Sequence, residues 1–267
     1  LDERQEKLVR RMISYPHGIL LLTGPTGSGK TTSLYSFLKS LNKEDVNITT
    51  IEDPIENNIS GVNQIQVNSK VNMTFAAALR AILRQDPNII MIGEIRDEET
   101  AEIAVKAAIT GHLVLSTLHT NSAHGTISRL VDMGIPKYLV ADALIGAISQ
   151  RLVRKLCPNC KKPHMTTPEE MKELGLTEPV QIYEPGSCGN CNNTGYHGRT
   201  GVFEILNMNP TIKKAIEMSE FSMETIYDAC VSSGMIPLKE AAKKLVLEGV
   251  TSYSEYIALL DNDTEIK

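Results

Sequence analysis

The run Gly24-Pro25-Thr26-Gly27-Ser28-Gly29-Lys30-Thr31 constrains this chain more than any other stretch. It satisfies G-x-x-x-x-G-K-[ST] in full, with an apolar run at residues 18–23 before it and a helical pattern at residues 31–42 after it. A strand–turn–helix passage is the context that gives such a loop its use. Glycines let backbone N–H groups curve around phosphate oxygens, and the helix N-terminus adds partial positive charge. Lys30 is placed to reach the β- and γ-phosphates, and the Thr31 hydroxyl to ligate Mg²⁺; the other residues from Gly24 to Gly29, with Thr32, complete the cradle. The loop therefore implies a nucleoside triphosphate, ATP in the first instance, with Mg²⁺.

The surrounding pattern supplies the sheet that such a loop requires. Residues 47–53 read as a strand. Residues 74–84 read as an Ala/Leu-rich helix that stops near Pro87, because the residue before a proline avoids helical geometry. Residues 89–92 form a short apolar run of the buried-strand type. Asp97 is placed to cap the next helix, with Glu98 and Glu99 in its first turn and Gly111 at its end. Residues 113–117 read as another strand, and residues 122–133 and 137–149 as helices. This alternation is the signature of a parallel α/β sheet. The texture changes at Cys157: residues 157–200 are rich in Cys, Pro, Asn, Gly and Thr and read as a loop-dominated insert. Past Pro210 the pattern is helical again, with an amphipathic stretch at 238–248 and a capping-box pair, Ser252 and Glu255, opening a last helix. Residues 261–267 read as a frayed tail. The expected organisation is a P-loop core over 1–156, a cysteine-bearing subdomain over 157–200 and a helical subdomain over 201–267.

Composition excludes several functions. The net charge is −5, from 27 basic and 32 acidic residues, and there are four Phe, eight Tyr and no Trp. That balance argues against a nucleic-acid-coating surface or a base-stacking platform. No apolar run approaches the ~18 residues of a membrane span, and the N-terminal residues lack a signal-peptide pattern. A soluble, cytosolic protein without membrane insertion or direct nucleic-acid binding is expected.

Hydrolysis of a bound nucleotide needs a group that orients water, and acids that help hold the metal. Glu94 follows the apolar run 89–92 and Gly93, which places a carboxylate at a strand end. Many P-loop enzymes carry Asp immediately before this acid, where this chain has Gly93. Glu94 is thus the candidate catalytic base, and Mg²⁺ must rely on Thr31, water and acids elsewhere. The strand at 47–53 delivers Glu52, Asp53 and, just beyond, Glu56. His112 and His119 bracket the strand at 113–117 and are candidate γ-phosphate sensors, with satisfied polar histidines as the alternative. Arg96, Arg80, Arg84 and Arg129 are candidates for charge stabilisation at a subunit boundary.

Cys157, Cys160, Cys188 and Cys191 form C-x₂-C…C-x₂-C with 27 residues between the pairs. Thiolates in two such turns can close a tetrahedral Cys₄ zinc site, which has no open position and is therefore structural. The spacer is longer than usual, but loop length costs only slowly in closure entropy. Two disulfides are the alternative, disfavoured in the cytosol. Cys230, on a helical stretch, reads as a buried apolar residue.

Four segments together carry a resemblance: the P-loop from Gly24 to Thr31; Thr50-Ile51-Glu52-Asp53-Pro54-Ile55-Glu56; the stretch from Leu83 through Gly93-Glu94 to Asp97; and Thr110-Gly111-His112 through His119-Thr120. Taken in this order they resemble the Walker A motif, Asp box, atypical Walker B motif and His box of the secretion ATPase superfamily, over roughly residues 5–260. The resemblance implies a RecA-like core acting in a homo-hexameric ring, with Glu94 as the catalytic glutamate and Gly93 normal for the family. It implies ATP-driven work in type IV pilus assembly or type II secretion, at the inner face of the cytoplasmic membrane and on a platform membrane protein. The tetracysteine pattern, and the segment Gly198-Arg199-Thr200-Gly201-Val202-Phe203-Glu204-Ile205 after it, favour assembly or export over pilus retraction. The family's large N-terminal region is expected to precede this chain in a longer protein. Two other readings stay open: a RecA-like DNA-translocating ATPase or helicase, and a zinc-ribbon interaction module with a structural ATP site.

Overall fold

The computed structural model describes residues 1–218 and 220–264, the last three by backbone alone; of the expected frayed tail at 261–267, residues 261–264 instead belong to the last helix and 265–267 lie outside the described residues. In chain order the elements are α1 (Glu3–Ile13), β1 (Gly18–Thr23), α2 (Lys30–Leu41), β2 (Ile48–Glu52), β3 (Asn63–Gln66), α3 (Phe75–Ile82), β4 (Ile89–Ile92), α4 (Glu98–Ile109), β5 (Leu113–Leu118), α5 (Gly125–Asp132), α6 (Lys137–Ala143) and β6 (Leu144–Leu156). They continue with β7 (Lys162–Met165), α7 (Pro168–Leu174), β8 (Gln181–Glu184), β9 (Tyr196–Asn207), α8 (Pro210–Glu217), α9 (Met223–Ser232), α10 (Leu238–Leu247) and α11 (Tyr253–Thr264). The chain divides into two units, Leu1–Ser149 with Ile205–Met235, and Gln150–Glu204 with Ile236–Lys267.

The first unit is built on a sheet of order β3-β2-β4-β5-β1-β6-β9, in which the pairs β2–β3, β2–β4, β4–β5, β1–β5 and β1–β6 are all parallel. Strands β1, β2, β4 and β5 are buried at every position, as parallel strands with both faces covered must be. Ile19 and Leu21 of β1 join a core with Ile51, Ile90, Ile92, Val114 and the small residues Ala101, Ala104, Ala107 and Ala108 of α4, which let that helix lie close to the sheet. Leu20 and Leu22 point to the other face by the two-residue alternation of a strand, the side on which α2 packs through Leu34 and Leu38. Truncating one fully buried branched residue here, Ile90→Ala for instance, costs about 2–5 kcal/mol.

One expected helix is a strand in its second half. Residues 137–149 do not continue as a helix: α6 ends at Ala143 and β6 begins at Leu144. From Leu144 to Gln150 every residue is buried, so no periodicity separates strand from helix. Gly146 settles the choice, since a Cβ there would collide with the Leu206 carbonyl oxygen.

The second unit has a separate core of Val153, Leu174, Ile182, Val202, Leu238, Val246, Tyr256 and Leu259. Strands β7 and β8 form an antiparallel pair, with His164 opposite Ile182. Helix α7 opens with a reciprocal capping box, Thr167 to Glu170, and Pro168 in its first turn. The stretch expected to be loop-dominated therefore holds regular structure as well as the cysteine turns. At α11 only the hydroxyl half of the expected box is present. The Glu255 amide donates to Ser252 Oγ at 3.3 Å, while the Glu255 carboxylate accepts from the backbone N–H and guanidinium of Arg154 at 2.7–3.0 Å.

Candidate active site and metal centre

Parallel strands present all their C-terminal ends on one edge of a sheet, the edge where α/β folds place ligands. Here that edge carries the P-loop after β1, the acidic turn after β2, Glu94 after β4 and His119 after β5. Register fixes their spacing: Ile51 pairs with Ile92, Ile92 with Ser116, and Thr23 with Leu118. Side chains stitch the strand exits together. Ser116 Oγ donates to the Ile92 carbonyl at 2.8 Å, and Thr117 Oγ1 to the Gly93 carbonyl at 2.8 Å. Thr23 Oγ1 accepts the Thr120 amide at 2.8 Å, which ties the P-loop's strand to the turn after His119.

In the P-loop, Gly24, Gly27 and Gly29 all have positive φ (140°, 79° and 88°), a backbone region that L-residues with side chains avoid. Gly29 is the N-cap of α2 and offers no capping side chain. By contrast, the caps of α3 and α4 are Thr74 and Asp97, which accept from Ala77 and Thr100. Lys30 Nζ donates to the Gly24 and Pro25 carbonyls at 2.7 and 3.0 Å, holding its ammonium on the loop.

Glu94 lies between two nitrogen donors. Arg96 donates to Oε1, and His119 Nε2 lies 3.3 Å from Oε2. A carboxylate only accepts, so the imidazole donates. The Glu94 side chain is 18% exposed, against 58% for Arg96 and 57% for His119, so the carboxylate is sheltered beneath partners open to solvent. The hydrogen bond from Arg96 outweighs burial and, with His119, holds Glu94 below the usual carboxylate range. Arg96 is pushed up in turn, mainly by Glu94, with a further contribution from Asp53. Gly93 has a packing reason as well: a Cβ there would press to 3.3 Å from the Ile51 carbonyl oxygen of β2.

The other candidates separate. Asp53 and Glu56 are exposed on the turn after β2, while Glu52 is buried, bonded to Tyr35, Thr50 and Gln64. Tyr35 escaped the sequence reading, because a tyrosine on the buried stripe of a helix looks like core. His112 is not at this edge. It precedes β5, so the strand carries it about 23 Å from His119. There its Nδ1 donates to the Ala107 carbonyl at 3.0 Å, and its own carbonyl accepts the Gly18 amide. The strand between the two histidines separates them, and of the two it is His119 that lies at the P-loop edge. Arg80 is paired with Glu99 at 2.7 Å, and Arg84 and Arg129 are exposed.

In the second unit the four cysteine sulfurs lie within 4.8 Å of one another. Three edges measure 3.8 Å (Cys157–Cys188), 3.7 Å (Cys160–Cys191) and 3.6 Å (Cys188–Cys191). A Zn–S length of about 2.3 Å gives a tetrahedron edge of about 3.8 Å, so the set can bind zinc. All four are free thiols, and the 3.6–3.8 Å sulfur separations are well beyond an S–S bond. Each pair sits in a tight turn, with the Cys160 amide donating to the Cys157 carbonyl and the Cys191 amide to the Cys188 carbonyl, both at 3.3 Å. Gly195 donates its amide to Cys191 Sγ at 3.3 Å. Burial raises the Cys191 thiol, but its hydrogen bonds with the Cys188 and Gly195 backbone bring it down to about 6. Burial and the three neighbouring thiols push Cys160 up to about 12. Cys230 is fully buried in the first unit's core, as expected.

The family described as Type II/IV secretion system protein matches residues 1–258. This chain belongs to that family. It is 49% identical over 257 residues to Type II secretion system protein E of Dickeya dadantii, covering 96% of this chain and 51% of that protein. It is 48% identical over 260 residues to the Type IV pilus assembly ATPase PilB of Acinetobacter baylyi, covering 95% and 45%. The chain thus spans about half the length of the curated relatives it matches. Among solved structures, the pilus retraction motor PilT with bound ADP superposes with a TM-score of 0.72 at 31% identity, over 97% of this chain and 64% of that one. The Legionella pneumophila ATPase DotB shares the fold, with a TM-score of 0.71 at 24% identity over 95% and 63%. The family match and the curated relatives do not favour a DNA-translocating ATPase or an isolated zinc ribbon.

Proposed function

We propose that this chain is the ATP-hydrolysing motor part of a type II secretion or type IV pilus assembly machine. The observation that carries the reading is the meeting, on one sheet edge, of the P-loop with a sheltered carboxylate, Glu94, held between Arg96 and His119. Glu94 orients a water and takes its proton as the water oxygen attacks the γ-phosphorus and the bond to the bridging oxygen breaks. Lys30 and the loop amides neutralise the phosphate oxygens. Thr31 would hold Mg²⁺, with Asp53 and Glu56 of the turn after β2 as further acids on the same sheet edge; the ion would supply charge neutralisation on the phosphates. The relatives' names support secretion or pilus assembly as the work performed. The partners that go with it are further copies in a homo-hexameric ring, an arginine from a neighbouring copy, and a platform protein at the inner face of the cytoplasmic membrane. In the second unit, Cys157, Cys160, Cys188 and Cys191 hold a structural zinc.

The test is phosphate release from ATP with and without Mg²⁺, for the wild type and Lys30→Ala. The expected result is Mg²⁺-dependent release that falls at least about 100-fold in the variant, with an unchanged melting curve. Equal release by the two proteins would contradict the proposal.

A further inference from the structure

Glu52 sits in the most conspicuous acidic motif of the sequence, yet its surroundings are those of an anchor. It is 3% exposed, and its carboxylate accepts three neutral hydrogen bonds: Tyr35 Oη on Oε2, and on Oε1 Thr50 Oγ1 at 2.6 Å and Gln64 Nε2 at 3.0 Å. A carboxylate offers about four lone-pair sites, so this one is nearly saturated, and no cation faces it among the described residues. Tyr35 is the more informative partner. It lies five residues after Lys30 on α2, the helix that the P-loop opens, and it is buried. Its hydroxyl also accepts the Glu56 and Asn57 amides, at 3.2 and 3.4 Å. Burial first, and the Glu52 hydrogen bond second, push its ionisation above the usual tyrosine value, so it remains a donor at neutral pH. Gln64 strengthens the same frame, donating to the Asn57 carbonyl at 3.0 Å and accepting the Ile59 amide at 2.7 Å.

We infer that Tyr35 is a positioning residue for the hydrolysis reaction: its single hydroxyl couples the P-loop helix to the turn that carries Asp53 and Glu56, and Glu52 is the buried anchor of that coupling, not a group that meets water or metal. The inference rests on the motor reading above. A shift of α2 when phosphates enter the loop is transmitted through this hydroxyl to the backbone at Glu56 and Asn57. The turn carrying the two exposed acids is thereby held to the P-loop helix by the fold. Leu34 and Leu38 anchor α2 in the core independently of the hydroxyl, so removing it leaves the helix in place.

The experiment compares Tyr35→Phe, Glu52→Gln and the double variant with the wild type, using Glu94→Gln as the control. Three readouts are taken: kcat and KM for Mg²⁺-ATP, the Kd for ADP, and hydrogen exchange of the amides at residues 53–57. Tyr35→Phe is expected to lower kcat about tenfold, to leave the ADP Kd within about threefold, and to speed exchange at Glu56 and Asn57. The double variant is expected to be no worse than the poorer single variant, because both changes break one unit. Unchanged kcat and exchange in Tyr35→Phe, or losses that multiply in the double variant, would overturn the inference. Wild-type turnover by Glu94→Gln would instead overturn the motor reading itself.

Discussion

At the P-loop edge, charged and hydrogen-bonding groups from four strands meet although they lie between residues 23 and 120 in sequence; in the tetracysteine cluster, two four-residue turns bring four thiols together. The first arrangement depends on the parallel sheet, and its Glu94 carboxylate is sheltered beneath open partners. The second depends on local turns, and its sulfurs face one another. At the sheet edge the fold is already held by buried apolar strands, so its charged side chains are available for chemistry. In the second unit the proposed zinc would make the cluster part of what holds the unit together.

The comparison breaks most visibly if metal is removed from the cysteines. Metal analysis is expected to find about one zinc per chain. Chelation, or Cys191→Ser, is expected to lower the melting of the second unit by about 10 °C or more while ADP binding by the first unit persists. Protein without zinc, prepared under reducing conditions, or a melting curve indifferent to chelation would remove the structural role. A smaller effect tests the sheltered carboxylate. On the proposed mechanism Glu94 acts as a base when ionised, and Arg96 holds its pKa below the usual range. The wild type therefore keeps kcat/KM as pH falls to below the ordinary carboxylate value. In Arg96→Ala, burial opposes ionisation with only His119 to counter it, so the acid limb of the profile moves to higher pH. A limb that stays in place or moves down would contradict this. The smallest effect separates the histidines. His119→Ala is expected to lower kcat several-fold, roughly three- to tenfold, whereas His112→Ala leaves kcat within about twofold and lowers stability by about 1 kcal/mol. The reverse pattern would undo the placement of the two residues.

Much of the sheet edge was legible because its motifs tie residue type to strand position. Gly24 through Thr31 and Gly93-Glu94 each follow an apolar run, the acids from Glu52 to Glu56 follow the β-branched run 48–51, and a parallel sheet brings such run ends together. The cysteine turns were legible from spacing alone. What was lost was lost for physical reasons. Residues 144–149 are buried on all sides, so their apolar character carries no period, and only Gly146 together with the β-branched Ile145 and Ile148 hinted at a strand. The helix α7 was obscured by its Cys- and Pro-rich neighbours, although Thr167-Pro168-Glu169-Glu170 is a complete helix-start signal. His112 and His119 looked equivalent because both touch the same strand, when its length is what sets them apart. Tyr35 and the anchoring of Glu52 carry no sequence signal: the partners Thr50, Gln64 and Tyr35 meet only once β2, β3 and α2 are packed.

The most direct test of the central claim is the identity of the nucleotide held by Glu94→Gln after incubation with Mg²⁺ and ATP. If the P-loop binds and Glu94 drives hydrolysis, the variant retains intact ATP over a period in which the wild type has converted its bound nucleotide to ADP and phosphate. Recovery of ADP from the variant at the wild-type rate would contradict the claim.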